Sequence, residues 1–209
     1  MKIIRPSVEF LDNLDGAAIL NKIELCGRVC YKSEANITNG TAESFVKNII
    51  NRGHESVLEH VSFTAKFICD RGVSHEIVRH RLASYSQEST RYCNYSKGDF
   101  GNEITVIKPC YLQEETRAYN VWKMACELAE ASYLQLLHSD QTAQQARAVL
   151  PNSLKTEIVM TANLREWRHF FNLRTAPAAH PQMQEVASML LAEVKTKIPL
   201  IFDNLGDQS

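Results

Sequence analysis

Between Val61 and Cys69 the chain alternates without a break, with Val61, Phe63, Ala65, Phe67 and Cys69 on one side and Ser62, Thr64, Lys66 and Ile68 on the other. A two-residue period sustained over nine residues marks a strand with one face against a core. Such a strand needs apolar cover, and the flanking sequence offers it at helical spacing. Residues 16–31 carry Ile19, Ile23, Cys26 and Cys30, and Thr41 is placed to cap a second helix bearing Phe45, Val46, Ile49 and Ile50 and ending at Gly53. Beyond the strand, Ser74 is expected to cap a helix over His75–Leu82, and a hydroxyl-rich run that is extended or a loop follows it. Ile104–Ile107 predicts another strand, 113–138 the longest helix, 141–150 a helix stopped by Pro151, and 156–162 a third strand. Helices over 164–173 and 182–197 complete the series. Separated strands among long helices predict an α+β fold, a small central sheet packed by long helices, in a single domain spanning 1–209.

Composition narrows the partners. At 209 residues and 44% hydrophobic the chain can bury one good core. Its 23 Lys and Arg against 24 Asp and Glu lack the positive excess that nucleic-acid binding favours, so the expected partner is a small anion. No run approaches the roughly eighteen apolar residues that span a bilayer, and Met1–Pro6 has no apolar core of signal-peptide length. A cytoplasmic protein without a membrane partner is expected. Cysteines 26, 30, 69, 93, 110 and 126 form no Cys-x-x-Cys pair, which predicts reduced thiols with no obvious nucleophile among them.

Three guanidiniums, an imidazole and a row of hydroxyls crowd into Arg79-His80-Arg81-Leu82-Ala83-Ser84-Tyr85-Ser86-Gln87-Glu88-Ser89-Thr90-Arg91-Tyr92. Arginine's planar fork matches phosphate bidentately, so this reads as an anion-handling site; a solvated basic helix face is the plainer alternative. Further arginines stand at Arg147, in Asn163-Leu164-Arg165 and in Asn172-Leu173-Arg174, the last two bracketing a helix with Trp167, His169, Phe170 and Phe171. Asparagine beside arginine suits a base edge and a phosphate. Eight glycines make no Gly-x-Gly-x-x-Gly and no P-loop, so any dinucleotide must be held by side chains and helix ends. A metal reading rests on His75-Glu76, but Arg79 stands where a zinc helix would place its second histidine, and no metal is expected.

Arg79-His80-Arg81, seven residues, then Ser89-x-Arg91-Tyr92 resembles the signature of the flavin-dependent thymidylate synthases. Gly53-His54-Glu55-Ser56, Glu59-His60, Arg147-x-Val149-Leu150-Pro151, Asn163-x-Arg165 and Asn172-Leu173-Arg174 extend the resemblance over most of the chain. The resemblance implies a homotetramer with sites shared between subunits. It implies FAD as cofactor, NADPH and methylenetetrahydrofolate as co-substrates, and reductive methylation of dUMP to dTMP. It puts Ser56, Arg79, His80, Arg81, Gln87, Asn163, Leu164, Arg165 and His169 on the flavin side. Glu76, Arg79, Gln87, Glu88, Ser89, Thr90, Arg91, Arg147 and Arg174 fall on the dUMP side. Relatives often carry asparagine in place of His169, glutamine in place of Glu76 and a small residue in place of Thr90. Arg174 is the expected catalytic group, stabilising negative charge on the pyrimidine. Ser89 has no adjacent base in sequence and is read as a binding residue, with nucleophilic attack as the alternative. Two other classes stand beside this one: a metal-dependent hydrolase using His54, His60, His75 and His80, and a nucleotide-binding regulator without chemistry.

Overall fold

The computed structural model of the chain describes Met1 to Gly206, which fall into two compact units. In chain order the elements are β1 (Lys2–Ile4), β2 (Ser7–Phe10), α1 (Gly16–Val29), α2 (Thr41–Asn51), β3 (Ser62–Asp70), α3 (Arg71–Ile77), β4 (Ala83–Gln87), β5 (Thr105–Ile107), α4 (Arg117–His138), α5 (Ala143–Ala146), β6 (Lys155–Asn163), α6 (Leu164–Arg174), α7 (Pro181–Lys197) and α8 (Pro199–Phe202). The strands form a four-stranded sheet in the order β2-β3-β6-β4 and a separate parallel pair of β1 and β5.

The first unit comprises Met1–Ser7, Phe67–Arg79 and Ser86–Val159. Its core gathers Tyr95, Ile104, Val106, Cys126, Tyr133, Ala146 and Leu154 under the inner face of α4. The amino terminus is tied to this core by ion pairs from Met1 to Glu103 (3.3 Å) and Glu130 (3.1 Å), which hold β1 beside β5.

The second unit comprises Val8–Lys66, His80–Tyr85 and Met160–Ser209. Its core is aromatic: Phe63, Trp167, Phe170, Phe171 and Phe202 are all fully buried. Phe63 on β3 stacks on Trp167 of α6 with centroids 4.6 Å apart and planes 5° apart, and the indole Nε1 donates to the Phe63 carbonyl at 3.1 Å. This contact follows from the strand alternation, because Phe63 lies on the face that the sequence marked as inward.

The expected strands over 61–69, 104–107 and 156–162 are present as β3, β5 and β6, and the hydroxyl-rich run is extended as β4. Several helix bounds differ: α3 ends at Ile77, short of Leu82, and α4 begins at Arg117, where the Thr116 hydroxyl accepts from the Tyr119 N–H at 3.2 Å, and not at 113. Gly40, in the left-handed region at φ 87°, precedes α2, while the Thr41 hydroxyl accepts from the Thr38 N–H at 3.1 Å and donates to Glu24 at 3.0 Å. Thr41 therefore fastens the turn before α2 to α1 and caps nothing. Asp70, not Ser74, caps α3 by accepting from the Val73 N–H at 2.8 Å; Ser74 is fully buried inside the helix and donates to the Arg71 carbonyl at 2.9 Å. Two competing cap residues four apart admit two registers, and the carboxylate one wins. Among the described residues no helix is long and apolar enough to cross a membrane.

Candidate active site

Helix α6 has two faces. Leu164, Trp167, Phe170 and Phe171 fill the core, while Arg165, His169 and Asn172, spaced four and three apart, lie together on the other side. That outer face, with Asn163 before it, forms one wall of a cavity of about 500 Å³ in the second unit; Glu166, Glu55, Glu59 and Leu82 supply the rest. Asn163 is also the cap of α6, its Oδ1 accepting from the Glu166 N–H at 2.9 Å, so the helix start is fixed where the wall begins. Each carboxylate of the wall already has a cation or an imidazole. Arg165 reaches Glu59 at 2.6 Å, Arg168 reaches Glu55 at 2.9 Å, and His80 lies 3.0 Å from Glu166.

His80 is buried, and both of its ring nitrogens are engaged. The Arg174 Nε–H donates to Nε2 at 3.1 Å, which requires a lone pair there; Nδ1 then carries the proton and donates to Glu166. A neutral imidazole thus links a carboxylate to a guanidinium. Burial holds His80 below its ordinary value near 6.5 against the pull of Glu166, and the Arg174 charge pushes in the same direction as burial. Tyr85 donates to the His80 carbonyl at 2.5 Å, and burial raises its hydroxyl to about 12, so it stays a donor.

The pH consequence has a definite sign. Because the folded chain holds His80 below the value near 6.5 that it has when unfolded, the unfolded state binds the proton first as pH falls. The stability that neutral His80 contributes is present above that value and is lost as pH drops below it. Thermal unfolding midpoints are expected to fall between pH 7 and 5.5, with a flatter slope for His80→Asn; equal slopes for the two proteins would refute the assignment.

His80, Glu166 and His169 are the one group of three His, Cys, Asp or Glu among the described residues whose ligand atoms lie within 4.8 Å of one another. It does not suit a cation. A guanidinium donates to the His80 nitrogen that would have to bind metal, and the other nitrogen faces Glu166 as a donor. The set of His54, His60, His75 and His80 is not gathered as ligands, and the first three are exposed.

The first unit holds the hydroxyl-rich part of the motif. Gln87 donates through Nε2 to Ser74 (2.9 Å) and Thr156 (3.2 Å). Glu88 accepts from Tyr95 (3.0 Å) and from Lys155 (3.0 Å), which also reaches Glu157 at 2.7 Å. Burial would lower the Lys155 ammonium, but the two glutamates outweigh it and raise it, so the charge that fixes Glu88 persists. Ser89 accepts from the Arg91 N–H at 3.3 Å, and its carbonyl accepts from the N–H groups of Tyr92 and Cys93. It builds a turn. Arg91 donates to Gln144 at 3.2 Å, and Arg147 to the buried Thr90 hydroxyl at 3.4 Å. Thr90 therefore orients a guanidinium, which gives this departure from a small residue a physical reason.

Of the residues expected on the flavin side, Asn163, Arg165 and His169 line the cavity, and His80 touches its wall through Glu166. Leu164 is fully buried and its N–H donates to the Val61 carbonyl at 2.9 Å, so no side-chain contact from it is available. Ser56 and Arg81 are exposed and lie outside the lining; Arg79 and Gln87 belong to the first unit. On the dUMP side, Glu76, Gln87, Glu88, Ser89, Thr90, Arg91 and Arg147 fall together with Arg79 in the first unit, while Arg174 belongs to the second. Sequence reasoning passed over Glu166, and it named Glu59 and Asn172 within motifs without placing either on the flavin side. Asn163 followed three residues later by Glu166 has the spacing of a helix start, a signal that would have placed Glu166 in the first turn of α6.

Residues 17–200 match the family model described as thymidylate synthase complementing protein. Flavin-dependent thymidylate synthases of Mycolicibacterium gilvum (33% identical, 95% of this chain and 84% of that protein), Geobacter sulfurreducens (34%, 88% and 81%) and Pyrococcus furiosus (34%, 88% and 74%) are among its relatives. In fold it is similar to the crystal structure of the UMP/dUMP methylase PolB from Streptomyces cacaoi bound with 5-Br dUMP, with a TM-score of 0.78 and 24% identity over 97% of this chain and 96% of that one. A family match of this extent, with the motif residues fixed in two polar clusters, leads to one conclusion: the chain belongs to the flavin-dependent thymidylate synthase family.

Proposed function

We propose that the protein converts dUMP to dTMP by reductive methylation, with FAD as cofactor and methylenetetrahydrofolate and NADPH as co-substrates. The observation that carries the reading is the family match over residues 17–200. The donor set suits a flavin dinucleotide. Arg165 brings a guanidinium, braced by Glu59, and the Asn163, Asn172 and His169 side chains add polar groups on the same cavity wall. Asn163, Arg165 and His169 are the residues that would hold it. When bound, FAD supplies hydride transfer from NADPH to the one-carbon unit that becomes the methyl group.

The chain's own groups bind and polarise. Arg147, Arg91 and Arg79 are the proposed phosphate ligands, and Thr90 and Gln144 restrict two of them before substrate arrives. Arg174 stabilises the charge that develops on the pyrimidine when C5 attacks, and His80 fixes its orientation through Nε. Ser89 serves binding through the turn it forms, and no basic side chain contacts its hydroxyl among the described residues. Ser89→Ala is expected to keep dTMP synthesis within about tenfold of the parent; complete loss with intact dUMP binding would restore the nucleophile reading.

Self-association as a homotetramer, with one domain of residues 1–209 per subunit, is part of the proposal. Val121, Met124 and Leu128 on α4, spaced three and four apart, are each more than half exposed and form an apolar stripe suited to a second copy. A light-scattering mass of a single subunit would overturn it. A cytoplasmic location accords with free thiols at all six cysteines. The enzymatic reading is tested by tritium release from 5-labelled dUMP, which should require both NADPH and methylenetetrahydrofolate. Release independent of both, or a colourless protein that NADPH does not bleach anaerobically after FAD is supplied, would end it.

A further inference from the structure

A second cavity, of about 260 Å³, opens between α1 and α2 in the second unit. It is smaller than the roughly 300–1,000 Å³ of whole-ligand pockets, so it suits part of a larger molecule. Its floor is built, not incidental. Phe45 lies so close to α1 that a Cβ at Gly27 would sit 2.6 Å from the ring, and the Arg28 guanidinium covers the ring at 4.8 Å. Arg28 is locked in turn by Glu24, whose Oε1 accepts from Nε at 2.9 Å and Nη2 at 2.7 Å, while Thr41 donates to the other oxygen. Glu24 is 1% exposed, so this support is fixed before any ligand arrives.

Above that floor the polar groups have no internal use. The side chains of Arg52, His54 and Asn48 line the cavity without a hydrogen bond or ion pair to any described residue, and Tyr31 stands 66% exposed at its edge. No carboxylate is among the lining residues, whereas three glutamates line the larger cavity. An anion in the smaller one meets the Arg52 guanidinium with no carboxylate on the lining beside it. His54 lines this cavity and the next residue, Glu55, lines the larger one.

We propose that this α1–α2 cavity receives the p-aminobenzoyl-glutamate tail of the folate co-substrate, its benzene ring on the floor formed by Phe45 and Arg28 and its carboxylates on Arg52 and Asn48. The inference rests on the synthase reading above for the identity of the co-substrate. The ligand class, an aromatic ring carrying carboxylates, follows from the lining itself: an aromatic ring under a guanidinium, which offers a flat stacking surface, a second guanidinium at Arg52 with no partner among the described residues, and an amide.

Titration of the FAD-loaded enzyme with p-aminobenzoyl-L-glutamate measures the site without turnover. Binding is expected for this probe and not for p-aminobenzamide, which lacks the carboxylates. Arg52→Gln is expected to weaken it about tenfold, Arg52→Lys much less. In turnover, Arg52→Gln should raise KM for methylenetetrahydrofolate about tenfold, with kcat and FAD content unchanged. No binding of the probe to the parent enzyme, equal binding by Arg52→Gln, or a rise in KM for NADPH in place of the folate would each overturn the inference. A parent enzyme that forms no dTMP would overturn the synthase reading instead, and the probe titration would still report on the cavity.

Discussion

Arg174→Ala is expected to lower dTMP formation by about a hundred- to a thousandfold, the usual cost of removing one donor aimed at developing charge, while FAD stays bound. The reason lies in how the guanidinium is held. Its Nε donates to His80, His80 donates to Glu166, and both partners are buried, so the fork has one orientation before substrate enters. Prior orientation makes such a donor effective, because nothing has to reorganise as charge develops on the pyrimidine. None of the cavity-lining residues is Arg174, which is why flavin content should not change. Arg174→Lys should recover little, since an ammonium offers no planar fork to sit between an imidazole and a ring. Single-turnover assays on enzyme with matched FAD absorbance separate the chemical step from cofactor loss. Normal turnover in the alanine variant would remove Arg174 from the mechanism.

The same three residues mark the limit of what the chain discloses before it folds. Arg174 and His80 stand out in sequence because they belong to dense polar motifs, but 94 positions separate them, and only the folded chain brings them together. The strand was legible because burial on one face imposes a period, and Phe63 faces inward as that period requires. The short strands β1 and β2 were not: three or four residues carry no period to detect. Glu166 was hidden for another reason. It occupies a position where a glutamate would ordinarily support its own helix start, and only the fold shows that its carboxylate turns to His80. Thr90 was legible as an anomaly and became intelligible once Arg147, 57 residues away, was found against its hydroxyl.

The second large effect is on stability and reaches the site through α6. Trp167 is fully buried, stacked on Phe63, within 6 Å of Phe170 and Phe171 by ring centroid, and bonded through its indole to the Phe63 carbonyl. Trp167→Ala removes the largest side chain of this cluster and leaves a void beside β3, at a cost of about 3–5 kcal/mol. For a chain of this size that corresponds to a fall in unfolding midpoint of about 10 °C or more. The helix that loses its anchor carries Arg165, Glu166, His169 and Arg174 on its other faces. FAD affinity is therefore expected to fall together with stability, and FAD in excess should recover part of the midpoint by mass action. Trp167→Phe, which keeps an aromatic face for Phe63 but loses the indole donor, should cost less than half as much. A midpoint in Trp167→Ala within about 2 °C of the parent, the shift that a loss of only about 1 kcal/mol produces, would mean that α6 is held by something other than this stack.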